Sequence, residues 1–130
     1  METIDPDGQR LFRKPLDLAM VEQVIEGAAD AGIVMVLNQI LGWPGQTRSS
    51  AAAQVKWYER LKERWPGLVR ASLNMLEINR ASPMAGSPEQ FGVVIEGIAP
   101  WAFSYAWDAP AWRPGFAAAL ADRAHAMSTN

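Results

Sequence analysis

The sequence predicts one α+β domain in which a small antiparallel sheet, or a mixed one, of about four strands packs against two or three helices. The chain has 130 residues, of which 49% are hydrophobic, and this is the size and composition of a single domain with its own core. Hydrophobic residues recur at helical spacing in three segments, and segments of alternating apolar and polar residues lie between the second and the third. The predicted order of elements is α-β-α-β-β-β-α.

The first 30 residues are predicted to hold an arm and a helix. Residues 1–14 are polar and contain two turn signals, so we expect them to form an arm before a globular domain of residues 15–130. Pro15 and Asp17 are residue types that open helices, and the helical pattern that follows them runs to Asp30.

The helical phase breaks at Gly32, which is therefore the predicted end of the helix. Residues 33–37 are apolar on every side and rich in β-branched types, and they predict a buried strand. One long helix through to Leu41 is the alternative, but the break in phase favours the strand. Residues 41–45 contain two glycines and a proline and predict a turn.

A second amphipathic helix is predicted over residues 51–65, with Ser49 or Ser50 as its N-cap. Residues 68–79 fit either a strand or a helix, since their apolar residues match both spacings. Their alternation favours a strand with a shift near Met75.

Two further strands and a helix are predicted to complete the domain. After a loop over residues 80–90, the segments 91–98 and 101–107 alternate between large apolar residues and small or polar ones. Residues 116–127 carry apolar side chains at helical spacing and predict a closing helix. The short connections between these strands favour antiparallel pairing.

The composition excludes several classes of protein. The chain has no cysteine, so disulfide scaffolds, thiolate metal sites and cysteine nucleophiles are ruled out. A net charge of −2 argues against binding of nucleic acid through its phosphates. The N-terminus is acidic rather than signal-like, and the longest aliphatic run is too short to cross a membrane. We therefore expect a cytoplasmic protein without a metal ion or cofactor, and without a nucleic-acid or membrane partner.

The segment of residues 101–107 is the most distinctive feature of the sequence. As a strand it would project three small side chains to one face and four aromatic ones to the other: Trp101, Phe103, Tyr105 and Trp107. These aromatic side chains would line a pocket for a small apolar or planar ligand. The alternative is that they form the main core strand beneath a helix, which is the commoner role of aromatic residues.

Six tryptophans are many for a chain of this length. Trp43 and Trp112 lie in proline-flanked loops, where we expect them to stay outside the core. Tryptophan is over-represented among the residues that dominate protein interfaces. These two are therefore the predicted partner-binding residues.

Glu77 and Glu96 are the candidate general acid and base. Each interrupts an apolar strand segment, and the two carboxylates would share one face if the strands pair. A carboxylate among aliphatic groups is poorly solvated, which raises its pKa and suits it to proton transfer. The simpler interpretation is that both residues face solvent from the wet side of an antiparallel sheet.

The other polar candidates have simpler explanations. His125, the one histidine of the chain, falls in the last turn of the predicted closing helix, where a positive charge is favoured. Glu22, Glu26 and Asp30 recur every four residues and predict a solvated helix face rather than a cation site. Lys62 is predicted to extend past the edge of the core.

Three functions remain open from the sequence. The favoured one is a non-enzymatic module that occludes a partner protein, as a toxin-immunity factor or a phage-encoded inhibitor does, because no catalytic constellation stands out. The second is a small isomerase-like or cyclase-like enzyme, or a ligand-binding domain, that uses the aromatic pocket with Glu77 and Glu96. The third is a self-associating structural protein, for which a homodimer is the simplest assembly.

Overall fold

The computed structural model describes residues 1–97 and 103–108. Within them the chain forms four α-helices, α1 (Pro6–Leu11), α2 (Leu18–Asp30), α3 (Arg48–Arg64) and α4 (Pro83–Gly86), and a 3-10 helix at Pro88–Phe91. Five strands are present there: β1 (Met35–Leu41), β2 (Val69–Met75), β3 (Ile78–Asn79), β4 (Val94–Glu96) and β5 (Ser104–Asp108). The predicted α+β class is confirmed. The predicted closing helix lies outside the described residues.

Strands β1 and β2 form a parallel pair joined through α3. Met35 lies opposite Val69 at one end of the pair, and Leu41 lies opposite Met75 at the other. Because parallel strands run in the same direction, the chain needs a long crossover to return to the starting end, and α3 provides it. The helix begins after Thr47, whose hydroxyl caps it by accepting a hydrogen bond from the backbone N–H of Ser50.

Helices α2 and α3 cover one face of this pair and enclose the main core. Two contacts join the helices: Trp57 Nε1 donates a hydrogen bond to Glu22 at 2.8 Å, and Arg64 pairs with Glu26 at 2.5 Å. The buried apolar residues of this core are Ile25, Leu37, Leu41, Ala51, Val55, Trp57, Tyr58, Leu61, Val69, Ala71 and Leu73. Two of the three acidic residues predicted to form a solvated ladder therefore also hold α2 against α3.

The N-terminal segment is packed against the domain rather than extended from it as a polar arm. Thr3 is buried, and its hydroxyl donates to Gln54 Oε1 at 2.8 Å. The carbonyl of Glu2 accepts a hydrogen bond from the N–H of Ile40 at 2.6 Å. Helix α1 begins after Asp5, whose carboxylate caps it. Buried polar groups paired in this way fix residues 1–14 to the sheet and to α3.

The other three strands form a separate antiparallel sheet. Strand β5 lies between β3 and β4, with Ile78 opposite Tyr105 and Ile95 opposite Trp107. One face of this sheet packs on a second core, whose buried members are Trp43, Leu76, Ile78, Met84 and Val93. The strands are divided between two sheets, instead of sharing one, because the chain leaves the first sheet after Met75.

Some element boundaries differ from the predicted ones. The strand predicted at residues 33–37 exists, but it begins two residues later and continues to Leu41. Of the strand predicted at residues 91–98, the described part, residues 91–97, holds only β4, because Phe91 ends the 3-10 helix and Gly92 follows it in a left-handed conformation. The predicted loop at residues 80–90 holds α4 and most of that 3-10 helix.

Candidate functional site

The backbone of β1 has one edge that points away from β2. The N–H of Met35 donates to the carbonyl of Leu68 at 2.7 Å, so the odd-numbered residues of β1 direct their backbone groups toward β2. The backbone groups of the even-numbered residues Val36, Asn38 and Ile40 therefore point to the opposite edge.

This outer edge is covered only at its carboxyl end by the part of the chain that the structure describes. The N–H of Ile40 donates to Glu2, and its carbonyl accepts a hydrogen bond from Gln54 Nε2 at 3.1 Å. No described residue pairs with the outward backbone groups of Val36 or Asn38. An edge of this kind is a template on which a strand of another chain can pair.

Exposed apolar side chains accompany the open edge. Ile33, Val34 and Val36 are each about half exposed, Val36 the most at 57%. The nine residues from Ile33 to Leu41 include no charged side chain, although proteins commonly place charges on edge strands to prevent unwanted pairing. We call residues 33–38 the β1 edge.

A groove of about 700 Å³ lies where β1 and β2 end. It opens because the chain diverges there: it turns toward α3 after Leu41, and it passes to the second sheet after Met75. Its walls include Asn38, Ile40 and Asn74 of the strands, Glu2 of the N-terminal segment, and Glu77 and Asn79. These asparagines were not singled out from the sequence. Asparagine is depleted in strands, so its presence in β1, β2 and β3 was the signal that could have pointed to this groove.

A smaller cavity of about 230 Å³ lies between the end of α1, α4 and the 3-10 helix. Its apolar lining comprises Leu11, Phe12, Leu76, Pro83, Met84 and Phe91. Arg13, Glu77 and Ser82 supply the polar part of the wall. Glu77 borders both this cavity and the groove. Among the residues that line the two spaces, it is the one that the sequence analysis named as a candidate site residue.

Glu77 and Glu96 flank the same residue of β5. Glu96 pairs with Ala106, and the pairing of Ile78 with Tyr105 places Glu77 level with Ala106 from the other side. Both glutamates are exposed, which agrees with the simpler interpretation of an outward-facing pair. Of the two, Glu77 borders the groove and the cavity, whereas Glu96 lines neither.

The predicted aromatic face is divided in the structure. Trp107 packs against the second core, and its Nε1 donates to the carbonyl of Leu76 at 3.2 Å. Tyr105 is half-buried, whereas Phe103 precedes β5 and is 79% exposed. Trp101 lies outside the described residues. The three described aromatic residues line neither the groove nor the cavity, so neither space is the aromatic pocket that the sequence suggested.

The expectation that Trp43 stays outside the core is wrong, because this side chain is 2% exposed. Its ring packs on α1 at Gly8, where an added Cβ would lie 2.9 Å from the indole. The turn folds the side chain inward, so a loop position did not imply exposure. This burial removes the reason for which Trp43 was singled out as a partner-binding residue. Trp112 lies outside the described residues.

Residues 1–97 and 103–108 contain no group of three or more histidine, cysteine or acidic side chains placed to hold a metal ion. No helix among the same residues is long and apolar enough to cross a membrane. Lys62 is half-buried, as predicted for a side chain at the edge of the core, and His125 lies outside the described part of the chain.

No protein-family model matches this chain, and neither a curated protein nor a solved structure matches it significantly. The β1 edge and the small cavity are therefore the features that can indicate its function.

Proposed function

We propose that this chain is a non-enzymatic protein-binding module that acts by occluding its partner, as an immunity factor or a phage-encoded inhibitor does, and that the partner protein docks on the β1 edge. The observation that carries the proposal is that no described residue pairs with the outward backbone groups of Val36 and Asn38, which lie beside exposed aliphatic side chains. The proposal includes a cytoplasmic site of action, which cell fractionation would test.

Two kinds of contact support docking at this edge. A partner strand would pair with the outward N–H and C=O groups of Val36 and Asn38, which sets its register. Val34 and Val36 project to the same face, because strand side chains alternate. Burial of each half-exposed valine contributes about 1 kcal/mol, so the partner also needs contacts beyond the strand. The exposed side chains of Met20 and Val24 on α2 are further apolar surface of the chain.

The two other functions have weaker support. An enzyme that uses both glutamates needs them at one cavity, and Glu96 borders neither described space. Self-association would use the same β1 edge, since two copies related by a two-fold axis can pair their edge strands. The state of the purified chain in solution distinguishes self-association from binding of a different protein.

The test is capture of the partner by the full tagged chain from a lysate of its native cells, followed by mass spectrometry. The decisive variant is Val36→Lys, which places a charge on the edge, and the matched control is Val94→Lys. Val94 is a strand valine of the second sheet with a similar exposure of 52%. We expect one protein in near-equal amount with the unmodified chain and with Val94→Lys, and its loss with Val36→Lys.

Two results would contradict the proposal. One is undiminished capture of the same protein by Val36→Lys, with thermal unfolding showing that the variant is folded. The other is a dimer of the purified chain, measured by light scattering after gel filtration, that Val36→Lys converts to a monomer while no other protein is captured. That second result would assign the edge to self-association.

A further inference from the structure

The small cavity carries two opposite charges on an apolar wall. Arg13 and Glu77 both border it, and the ion pairs among the described residues involve neither of them. The two side chains therefore do not neutralise each other by direct contact. A site with a separated cation and anion beside apolar residues is complementary to a ligand that carries both charges and an apolar group.

The backbone conformation at Arg13 is unfavourable for a residue with a side chain, so an arginine at this position lowers the stability of the fold. The N–H of Lys14 donates to the carbonyl of Gln9 at 2.9 Å, and the N–H of Arg13 donates to Arg10 at 3.1 Å, which is the pattern of a Schellman motif at the end of α1. Arg13 occupies its left-handed position with φ 54°. The other described residues with positive φ are all glycines, because a Cβ is unfavourable in that conformation.

We propose that this cavity binds a free α-amino acid with an apolar side chain, a function separate from docking at the β1 edge. The ammonium group of the ligand would pair with Glu77, and its carboxylate would accept two parallel hydrogen bonds from the guanidinium of Arg13. The apolar side chain would enter the cavity among Leu11, Phe12 and Met84. The volume of about 230 Å³ equals that of roughly eight water molecules, which suits a branched aliphatic or an aromatic side chain.

Three ligands test the charge requirement on the full chain. Leucine carries both charges, leucinamide lacks the carboxylate, and N-acetylleucine lacks the ammonium group. In titrations followed by amide chemical shifts, we expect leucine to bind at the residues that line the cavity. Each blocked analogue is expected to bind up to about fivefold more weakly, because it loses one solvent-exposed ion pair.

Variants then assign each charge to its partner. Glu77→Gln removes the partner of the ammonium group, so this variant is expected to bind N-acetylleucine as well as leucine. Arg13→Gly removes the partner of the carboxylate, so this variant is expected to bind leucinamide as well as leucine. Arg13→Gly is also expected to raise the Tm, because glycine is favoured at a left-handed position. A variant that is more stable but binds less well separates the binding role from a structural one. Glu96→Gln removes a carboxylate that does not line the cavity, and it is expected to leave binding unchanged.

The proposal is overturned if leucine, isoleucine and phenylalanine all leave the shifts of the cavity residues unmoved. It is also overturned if leucinamide and N-acetylleucine bind as tightly as leucine. A loss of affinity in Glu96→Gln equal to that in Glu77→Gln would show that the net charge of the chain, and not this site, attracts the ligand.

Discussion

Replacement of Gln39 by leucine is expected to stabilise the protein, which is unusual for a substitution in a core. Gln39 is 1% exposed, and neither Nε2 nor Oε1 of its amide has a hydrogen-bond partner among the described residues. A buried amide without partners costs about 1–3 kcal/mol. Leu37 and Leu41 flank the position on the same face of β1, and Leu73 lies opposite it on β2, so a leucine enters apolar surroundings.

The expected gain follows from these two terms. Removal of the amide recovers about 1–3 kcal/mol, and the change of shape between similar volumes costs less than about 1.5 kcal/mol. We therefore expect the free energy of unfolding of Gln39→Leu to rise by about 1 kcal/mol, and the Tm to rise by about 4 °C. Urea denaturation followed by tryptophan fluorescence measures this gain as a higher midpoint with an unchanged slope.

Gln54→Leu is the matched control, because Gln54 is equally buried but both the oxygen and the nitrogen of its amide are hydrogen-bonded. Its amide accepts from Thr3 and Gln46 and donates to the carbonyl of Ile40. Loss of this amide leaves Thr3, Gln46 and the carbonyl of Ile40 without these hydrogen bonds. We therefore expect the free energy of unfolding to fall by about 2–4 kcal/mol. The reasoning is refuted if Gln39→Leu lowers the midpoint as Gln54→Leu does, since the amide of Gln39 would then be hydrogen-bonded in solution.

Three further predictions concern packing and pH. Gly8→Ala is expected to destabilise the fold by about 1–3 kcal/mol, although alanine has the higher helix propensity. The added Cβ would lie 2.6 Å from Cγ2 of Thr3 and 2.9 Å from the ring of Trp43. An unchanged urea midpoint would contradict this prediction. Burial raises the pKa of Tyr58 above its ordinary value of 10.0, so above that pH the unfolded chain loses a proton that the folded chain keeps, and stability falls as the pH rises. Tyr58→Phe also loses the hydrogen bond to Leu37. Between about pH 9 and about pH 11, we expect its urea midpoint to decrease less with pH than that of the parent chain. An equal decrease in both proteins would argue against this prediction. The hydrogen bond from Lys14 lowers the pKa of Glu2 from 4.5, so the stability that Glu2 contributes is present above that pH and is lost as the pH falls through the lowered pKa. Glu2→Gln should therefore show a smaller loss of stability between about pH 6 and about pH 3, and an acid transition identical to that of the parent chain would disprove it.

The two proposed sites make separate demands on the chain. The β1 edge needs an open backbone and uncharged side chains, whereas the amino-acid cavity needs Arg13 and Glu77 on its wall. Val36→Lys alters the first site and Arg13→Gly the second. If the protein partner is captured only in the presence of leucine, the two sites are coupled. If each variant affects only its own ligand, they are independent.

Local patterns in the sequence were sufficient for α2, α3 and several strands, but not for the short helices α1 and α4. The N-cap Asp17, the amphipathic spacing of α2 and the left-handed Gly32 after it are determined by interactions within a few residues. The same holds for α3, although its cap is Thr47 rather than Ser49 or Ser50. The strand preferred over the helix at residues 68–79 is present as β2, because its alternation matches one buried and one open face of the sheet.

The class of the fold, the main helices and the uncharged run of β1 follow from local sequence, since propensity, capping and side-chain periodicity act over short distances along the chain. Three features depend on the packed fold: β1 pairs with β2 in parallel, Trp43 is buried on Gly8, and Arg13 and Glu77 border one cavity. Those features join residues more than 30 positions apart. These contacts are stabilised by packing and strand pairing between residues that are distant in the sequence. A local sequence pattern does not identify the distant residue of each contact.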